Sequence, residues 1–226
     1  ECMKIYDEFF KAFAKPPAEI KQFYLQACYA YGQLLAGDRQ FAKAAERYEA
    51  LAAETAAAME RLLFDRSRNL FRDGLRNPLA ERNHSQAANA VATLYGALPA
   101  AERAAVLRAA FETARPWADV IPASPHLGLL VGEALFEAGL DDLAHAWIRR
   151  HAAMLQAPAG TLWETWSPHV AHCHGTGSAI AYHLARYHAG IYPARPGFAA
   201  IGIRPHACGQ PWLRMRLNTH WGVVGA

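Results

Sequence analysis

Long apolar runs, paired cysteines and concentrated charge are all missing from this sequence. No stretch reaches the ~18 consecutive apolar residues of a transmembrane helix, so no helical membrane span is expected. The four cysteines (Cys2, Cys28, Cys173, Cys208) lie far apart and form no CxxC pair, which argues against a disulfide framework or a zinc finger. The net charge is only +3 and the basic residues are scattered, so nothing builds a nucleic-acid-binding face. No basic-then-apolar signal segment stands at the start. The first residue is Glu1 and the last residues follow a strand-like opening, which reads as a piece of a longer protein. No motif recurs at a fixed period, against a regular solenoid.

What is present is a helical pattern of ordinary apolar content over 226 residues, enough for one to two domains. Residues 18–36 place Ile20, Phe23, Tyr24, Ala27, Tyr31 and Leu34 at helical spacing, and Gly37 closes that helix. Asp38 is placed to cap a second helix running to about Phe64, with Phe41, Ala44, Ala45, Tyr48, Leu51 and Ala52 on one face. Residues 65–82 lose the periodicity and contain Gly74, Asn77 and Pro78, which predicts a long loop. Helices are then expected over 84–98, 100–115, from Ser124-Pro125 to Gly139, from an Asp141 cap to about Leu155, and from Ser178 to about His188. Trp117, Phe136 and Trp147 read as core. After Gly190, prolines and glycines punctuate short segments. Of these, 198–203 and the alternating run 213–217 read as strands.

The chemistry concentrates in two places. In the first, Glu164 stands between Trp163 and Trp166 in a loop that interrupts strong helices, with His169, His172 and His174 downstream. Aromatic faces suit the apolar C–H faces of sugar rings, and a carboxylate between them is placed for general-base work. The same pattern also fits a Trp-anchored turn whose Glu faces solvent, and both readings stand on spacing alone. The three histidines carry no carboxylate or fourth ligand at a familiar offset, and H-E-x-x-H is absent, so no metal is expected there. His174 is read instead as a neutral hydrogen-bonding group. In the second place, His84, Gln86 and Asn89 cluster on an Ala-rich helix that Ser85 caps. Gln86 and Asn89 share a face, where they either hold sugar hydroxyls or satisfy a neighbouring loop.

Five segments in order, HSQxANAxxxLYG (84–96), SPHLGLLVGEALFEAG (124–139), TLWETW (161–166), CHG (173–175) and GIYPARPGF with IRP (190–198 and 203–205), resemble the C-terminal half of bacterial family 78 α-L-rhamnosidases. That resemblance spans most of the chain. It implies a mainly α fold: residues 1–190 as part of an (α/α)6 catalytic barrel, or six-hairpin toroid, and residues 191–226 as the start of a small C-terminal β-sandwich. It further implies hydrolysis of terminal α-L-rhamnose from plant polysaccharides or glycosides with inversion. That chemistry uses an acid and a base whose carboxyls stand about 6.5–9.5 Å apart. Glu164 matches the family's base, His174 lines the rhamnose site, and Trp163 and Trp166 flank the sugar. The expected partner is a carbohydrate, with neither nucleic acid nor membrane, and no cofactor is implied.

The sequence departs from the family in two ways. The acidic cluster that includes the general acid has no match, which implies a chain that begins after it and is inactive alone. After CHG the usual Trp-Ser-Ala is replaced by Thr176-Gly177-Ser178-Ala179. Two other readings fit less of the pattern: another (α/α)6 sugar hydrolase, fucosidase-like or a glycuronyl hydrolase, and a non-catalytic carbohydrate-binding toroid.

Overall fold

The computed structural model describes residues 40–75, 83–112, 120–158, 160–169, 171–206 and 208–225. The expected helix over 18–36, the Asp38 cap, Cys2, Cys28 and Trp117 lie outside them. Among the described residues the protein is mainly helical with three two-stranded antiparallel ladders, and no helix is long and apolar enough to cross a membrane. Contacts divide the chain into two units, Glu1–Met59 and Glu60–Ala226. Helix α1 is Phe41–Leu63, rich in alanine, the best helix former. Of its expected apolar face, Ala44 is buried and Tyr48 and Leu51 are half-buried, while Phe41, Ala45 and Ala52 are exposed.

Within the second unit, the expected long loop after α1 opens as a tight hairpin instead. β1 (Phe64–Asp65) pairs with β2 (Leu70–Phe71), Phe64 opposite Phe71. The turn is built by polar groups that hydropathy periodicity does not register. Asp65 Oδ1 accepts from the Ser67 amide at 3.0 Å and its hydroxyl at 2.6 Å, and Asn69 takes a left-handed φ of 56°. The Arg72 guanidinium reaches Asp65 Oδ2 at 3.1 Å. The Ser67 and Arg72 bonds hold the Asp65 carboxyl down at about 2.

Helix α2 (Gln86–Leu94) starts where Ser85 accepts from the Ala88 amide at 3.0 Å, the expected cap. It packs on α3 (Ala100–Phe111), which buries Val106, Leu107 and Ala110. A 3₁₀ turn, Pro125–Leu127, leads into α4 (Gly128–Glu137). This helix ends as local rules require. Gly139 adopts φ 70°, its amide reaches the Phe136 carbonyl at 3.0 Å, and the Leu140 amide reaches Leu135 at 2.9 Å, a Schellman ending.

The next helix corrects one expectation. α5 is Asp141–Arg150 with Leu140 at the N-cap, so Asp141 sits in the first turn, where its carboxylate accepts from His206 at 2.8 Å. His151 breaks the helix, and α6 (Ala152–Leu155) follows. The core gathers Leu107, Val131, Leu135, Phe136, Ala144, Trp147 and Tyr187 from α3, α4, α5 and the last helical segment. Phe136 and Trp147 are core as expected. Phe136 stacks on Tyr187 with rings 4.8 Å apart and 3° from parallel.

The last helical segment is a 3₁₀ turn Gly175–Ser178, α7 (Ala179–His183) and a π turn Leu184–His188. α7 crosses α4 closely because Gly132 has no side chain. A Cβ there would stand 2.2 Å from the ring of His183, which is fully buried. β3 (Ile191–Arg195) and β4 (Ala200–Ile203) then pair antiparallel. The strand expected at 213–217 lies further on, β5 (Arg216–Thr219), paired with β6 (Gly222–Gly225) around a tight return. Its alternation of exposed and half-buried positions is real but starts at Arg216.

Candidate functional site

Two pieces of irregular chain converge on Glu164. The loop folds back on itself: the Glu164 amide donates to the Ala171 carbonyl at 3.1 Å, the His174 amide donates to Leu162 at 3.0 Å, and the Thr161 hydroxyl bonds the His172 carbonyl. The 3₁₀ turn before α4 is pinned to this hairpin-like loop, because the His126 amide donates to the Glu164 carbonyl at 3.2 Å. Backbone bonds therefore place three side chains side by side. One ring nitrogen each of His126 and His174 and one Glu164 oxygen lie within 4.8 Å of one another. The two imidazoles have centroids 5.0 Å apart. Between them stands Thr176, whose Oγ1 is 2.7 Å from His174 Nδ1 and 3.1 Å from His126 Nδ1. Glu164 and His174 are half-buried and His126 is exposed, so the cluster opens to solvent. Beside it a cavity of about 660 Å³ runs between the 3₁₀ turn, α4 and α7, with His126, Thr176, Leu129, Leu130 and Tyr182 in its wall.

His126 and Thr176 were not singled out from the sequence. His126 lay inside the recognised segment 124–139 and Thr176 directly after CHG, but neither has a local spacing that marks it as a site residue. A histidine directly after Ser-Pro at a helix start, and a Thr where a Trp is usual, were the available signals.

The other expected site residues are placed differently. Trp163 is 8% exposed and stacks on His172, with centroids 4.9 Å apart and 22° between planes. Trp166 turns inward. Its Nε1–H donates to the Ala123 carbonyl at 2.7 Å, its ring packs T-shaped with Trp147 and His151, and the Arg150 guanidinium covers it at 3.9 Å. The two indoles thus brace the Glu164 loop instead of presenting open faces to a sugar.

Asn89 and Gln86 meet the second of the two alternatives, a neighbouring loop. Asn89 is fully buried; its Oδ1 accepts from the Phe71 amide at 2.8 Å and its Nδ2 donates to Phe71 and Ser85 carbonyls at 3.2 and 2.8 Å. Gln86 donates to the Ala110 carbonyl at 3.3 Å and accepts from the Ala123 amide at 3.0 Å. Both side chains have their amide groups engaged by backbone, so they satisfy neighbouring chain. His84 is 3% exposed, with neither ring nitrogen hydrogen-bonded and Asp65 Oδ2 3.9 Å from its Nε2. Burial lowers its pKa, which favours the neutral ring in that position. Of the three histidines in the downstream run, His172 stacks on Trp163 and bonds the Pro168 carbonyl at 2.5 Å, and only His174 faces Glu164.

No family model matches this sequence, and no curated protein matches it significantly. Among solved structures the fold is one found in glycoside hydrolases. More narrowly, it is similar to part of the GH78 family rhamnosidase of Bacillus sp. GL1, at TM-score 0.65 and 24% identity, over 90% of this chain and 22% of that one. It is also similar to a rhamnosidase from Klebsiella oxytoca with rhamnose bound, at TM-score 0.51 and 21% identity, over 71% of this chain and 32% of that one. The chain has the fold of a part of such a rhamnosidase, and it spans less than a third of either relative's length.

Proposed function

We propose that this chain is part of an inverting glycoside hydrolase that releases terminal α-L-rhamnose, with Glu164 as the general base. The observation that carries the reading is the likeness in fold to the Bacillus rhamnosidase across 90% of the chain. The rhamnose held by the Klebsiella relative supports the sugar. On this reading residues 1–190 belong to an (α/α)6 toroid and residues 191–226 open a β-sandwich.

The chemistry follows from what the loop offers. In inversion a carboxylate takes a proton from a water as that water attacks the anomeric carbon, while an acid on the opposite face protonates the leaving oxygen. Glu164, half-buried and held by backbone at both its N–H and its C=O, is a positioned carboxylate for the first task. His174 and His126 beside it are hydrogen-bonding groups for sugar hydroxyls. Trp163 and Trp166 support the loop from beneath and are left out of direct contact. The acid is supplied by the part of the barrel that this chain lacks, so the chain alone should not cleave an aryl α-L-rhamnoside.

The test has two arms. In a polypeptide that also carries the acidic half of the barrel, Glu164→Gln should lower rhamnoside hydrolysis by ~10²-fold or more with folding intact; an unchanged rate removes the base role. Turnover by the isolated chain would show that the acid lies within it. A panel of aryl glycosides on the same polypeptide decides the sugar, and a preference for fucoside or uronide over rhamnoside would replace the substrate named here.

A further inference from the structure

We propose that His126, Glu164 and His174 form a site for a divalent transition-metal ion of the zinc type, with Thr176 as the group that orients both imidazoles. The donor set is the first argument. Two imidazoles and one carboxylate are a recurrent three-ligand set for zinc, which leaves a fourth position for water. The three side chains come from two separate stretches of sequence and are brought together by backbone bonds, with candidate ligand atoms within 4.8 Å of one another. Tetrahedral zinc, with bonds of about 2.0–2.2 Å, sets its ligands roughly 3.4 Å apart. Closing the cluster therefore takes shifts of about 1 Å, and an exposed or half-buried side chain makes such a shift by small rotations.

The second argument is Thr176. A metal-binding histidine almost always donates its other ring N–H to an oxygen, which fixes the tautomer and the ring plane. Here one hydroxyl oxygen meets the Nδ1 of both rings, at 2.7 and 3.1 Å. Oγ1 has two acceptor lone pairs, enough for two Nδ1–H groups. In that arrangement both rings are the Nδ1–H tautomer, and both Nε2 lone pairs are left for a cation. A second shell shared between two ligands is an economical way to hold them together.

The site differs from the one that the histidine run suggested. His172 is taken up by Trp163 and the Pro168 carbonyl, and His126 comes from the other side of the loop. The metal site stands on this cluster and not on the hydrolase reading. Where that reading holds as well, the ion takes the carboxylate that would activate water, so zinc inhibits hydrolysis at the same residue.

The experiment is zinc binding by the chain itself, without sugar. Competition with a chromophoric chelator and titration with cobalt(II), followed by its visible spectrum, give stoichiometry and geometry. The expected result is one equivalent per chain with a tetrahedral cobalt spectrum. His126→Ala and His174→Ala should each weaken zinc at least 10-fold, and Thr176→Val should weaken it about 10–100-fold through lost orientation. His126 is exposed, so its replacement leaves the core intact, and His126→Asn with matching circular dichroism provides a second variant. No stoichiometric zinc, or zinc unaffected by His126→Ala and His126→Asn, overturns the proposal. Retained affinity in those variants would move the ion to His169, His172 or Cys173. Because no sugar is present, failure here leaves the rhamnoside assay untouched, and failure there leaves this site untouched.

Discussion

Replacing Asn89 by Ala should cost the fold about 2–4 kcal/mol, and the reason lies in how β2 is paired. The ladder bond to α1 is made by the Arg72 amide, which reaches the Leu63 carbonyl at 2.9 Å. Neighbouring residues of a strand point their backbone groups to opposite sides, so Phe71 turns its N–H and C=O away from β1. Asn89 meets both with a side-chain amide that stands in for a missing strand. Phe71 is 1% exposed, so neither group has ready access to water. Leaving a buried donor and a buried acceptor unmade costs about 1–3 kcal/mol each, less whatever water recovers in the space the amide vacates.

In urea the Asn89→Ala midpoint should fall with an unchanged slope, and the melting temperature should drop by roughly 6–12 °C for a domain of this size. Asn89→Asp should be worse, because it places a buried carboxylate against two carbonyl oxygens that the amide had served as donor. A loss below about 1 kcal/mol would refute the bracket, since Phe71 would then be satisfied by other means. So would an Asn89→Ala protein of unchanged stability that had lost affinity for rhamnose, which would return Asn89 to the sugar site.

Gly132→Ala should destabilise by about 2 kcal/mol, the overpacking against the His183 ring outweighing the better helix propensity of Ala. In a His183→Ala background the same change should cost nothing, and an equal cost in both backgrounds would refute the close-contact account. Stability should also fall with acid in two separate windows. Burial lowers the His183 pKa from 6.5 to about 4, so the unfolded chain binds that proton first and stability drops as pH falls from about 6.5 toward 4, then levels. Asp65, held near 2 by Ser67 and Arg72, adds stability that is complete above about 4 and lost as pH falls toward 2. Urea midpoints measured across pH should show the upper window shrink in His183→Gln and the lower one in Asp65→Asn; an upper window unchanged by His183→Gln would mean other groups carry it.

Local signals were legible in the sequence and non-local ones were not. Ser85 and Gly139 act within one turn of themselves, through a cap and a left-handed residue, so reading neighbours was enough to place the helix start and stop. Phe136 and Trp147 follow helical spacing and are core. Gln86 and Asn89 looked like a polar face on an Ala-rich helix, and their partners Phe71, Ala110 and Ala123 lie 18–37 residues away. Nothing near them in sequence says whether such amides meet backbone or ligand. The hairpin at 64–71 was missed because it rests on Asp65, Ser67 and Asn69, whose turn chemistry carries no apolar period. Trp163 and Trp166 illustrate a third limit: adjacency to Glu164 in sequence does not mean adjacency of rings to its carboxylate. Alternate residues of an extended loop leave it in different directions, and here both indoles go into the protein.

Glu164 is where those limits meet. Its candidacy arose from flanking tryptophans and, more strongly, from the ordered resemblance; both rings pack within the protein. What stands beside the carboxylate instead is His126 and His174, joined through Thr176. Thr176 occupies the place where the resembling sequences have a tryptophan. A Trp there offers an apolar face and a single donor, and it cannot accept a hydrogen bond from an imidazole. A Thr offers a small hydroxyl with two acceptor positions, which is what two Nδ1–H groups need. The residue that sets this loop apart from the resembling sequences therefore couples the two imidazoles, and under the proposed function it would also border the sugar. Thr176→Trp separates the two roles: it should loosen zinc, and in a polypeptide carrying the whole barrel it should leave or raise affinity for an apolar sugar face. Loss of both together would mean that Thr176 serves only the folding of the loop.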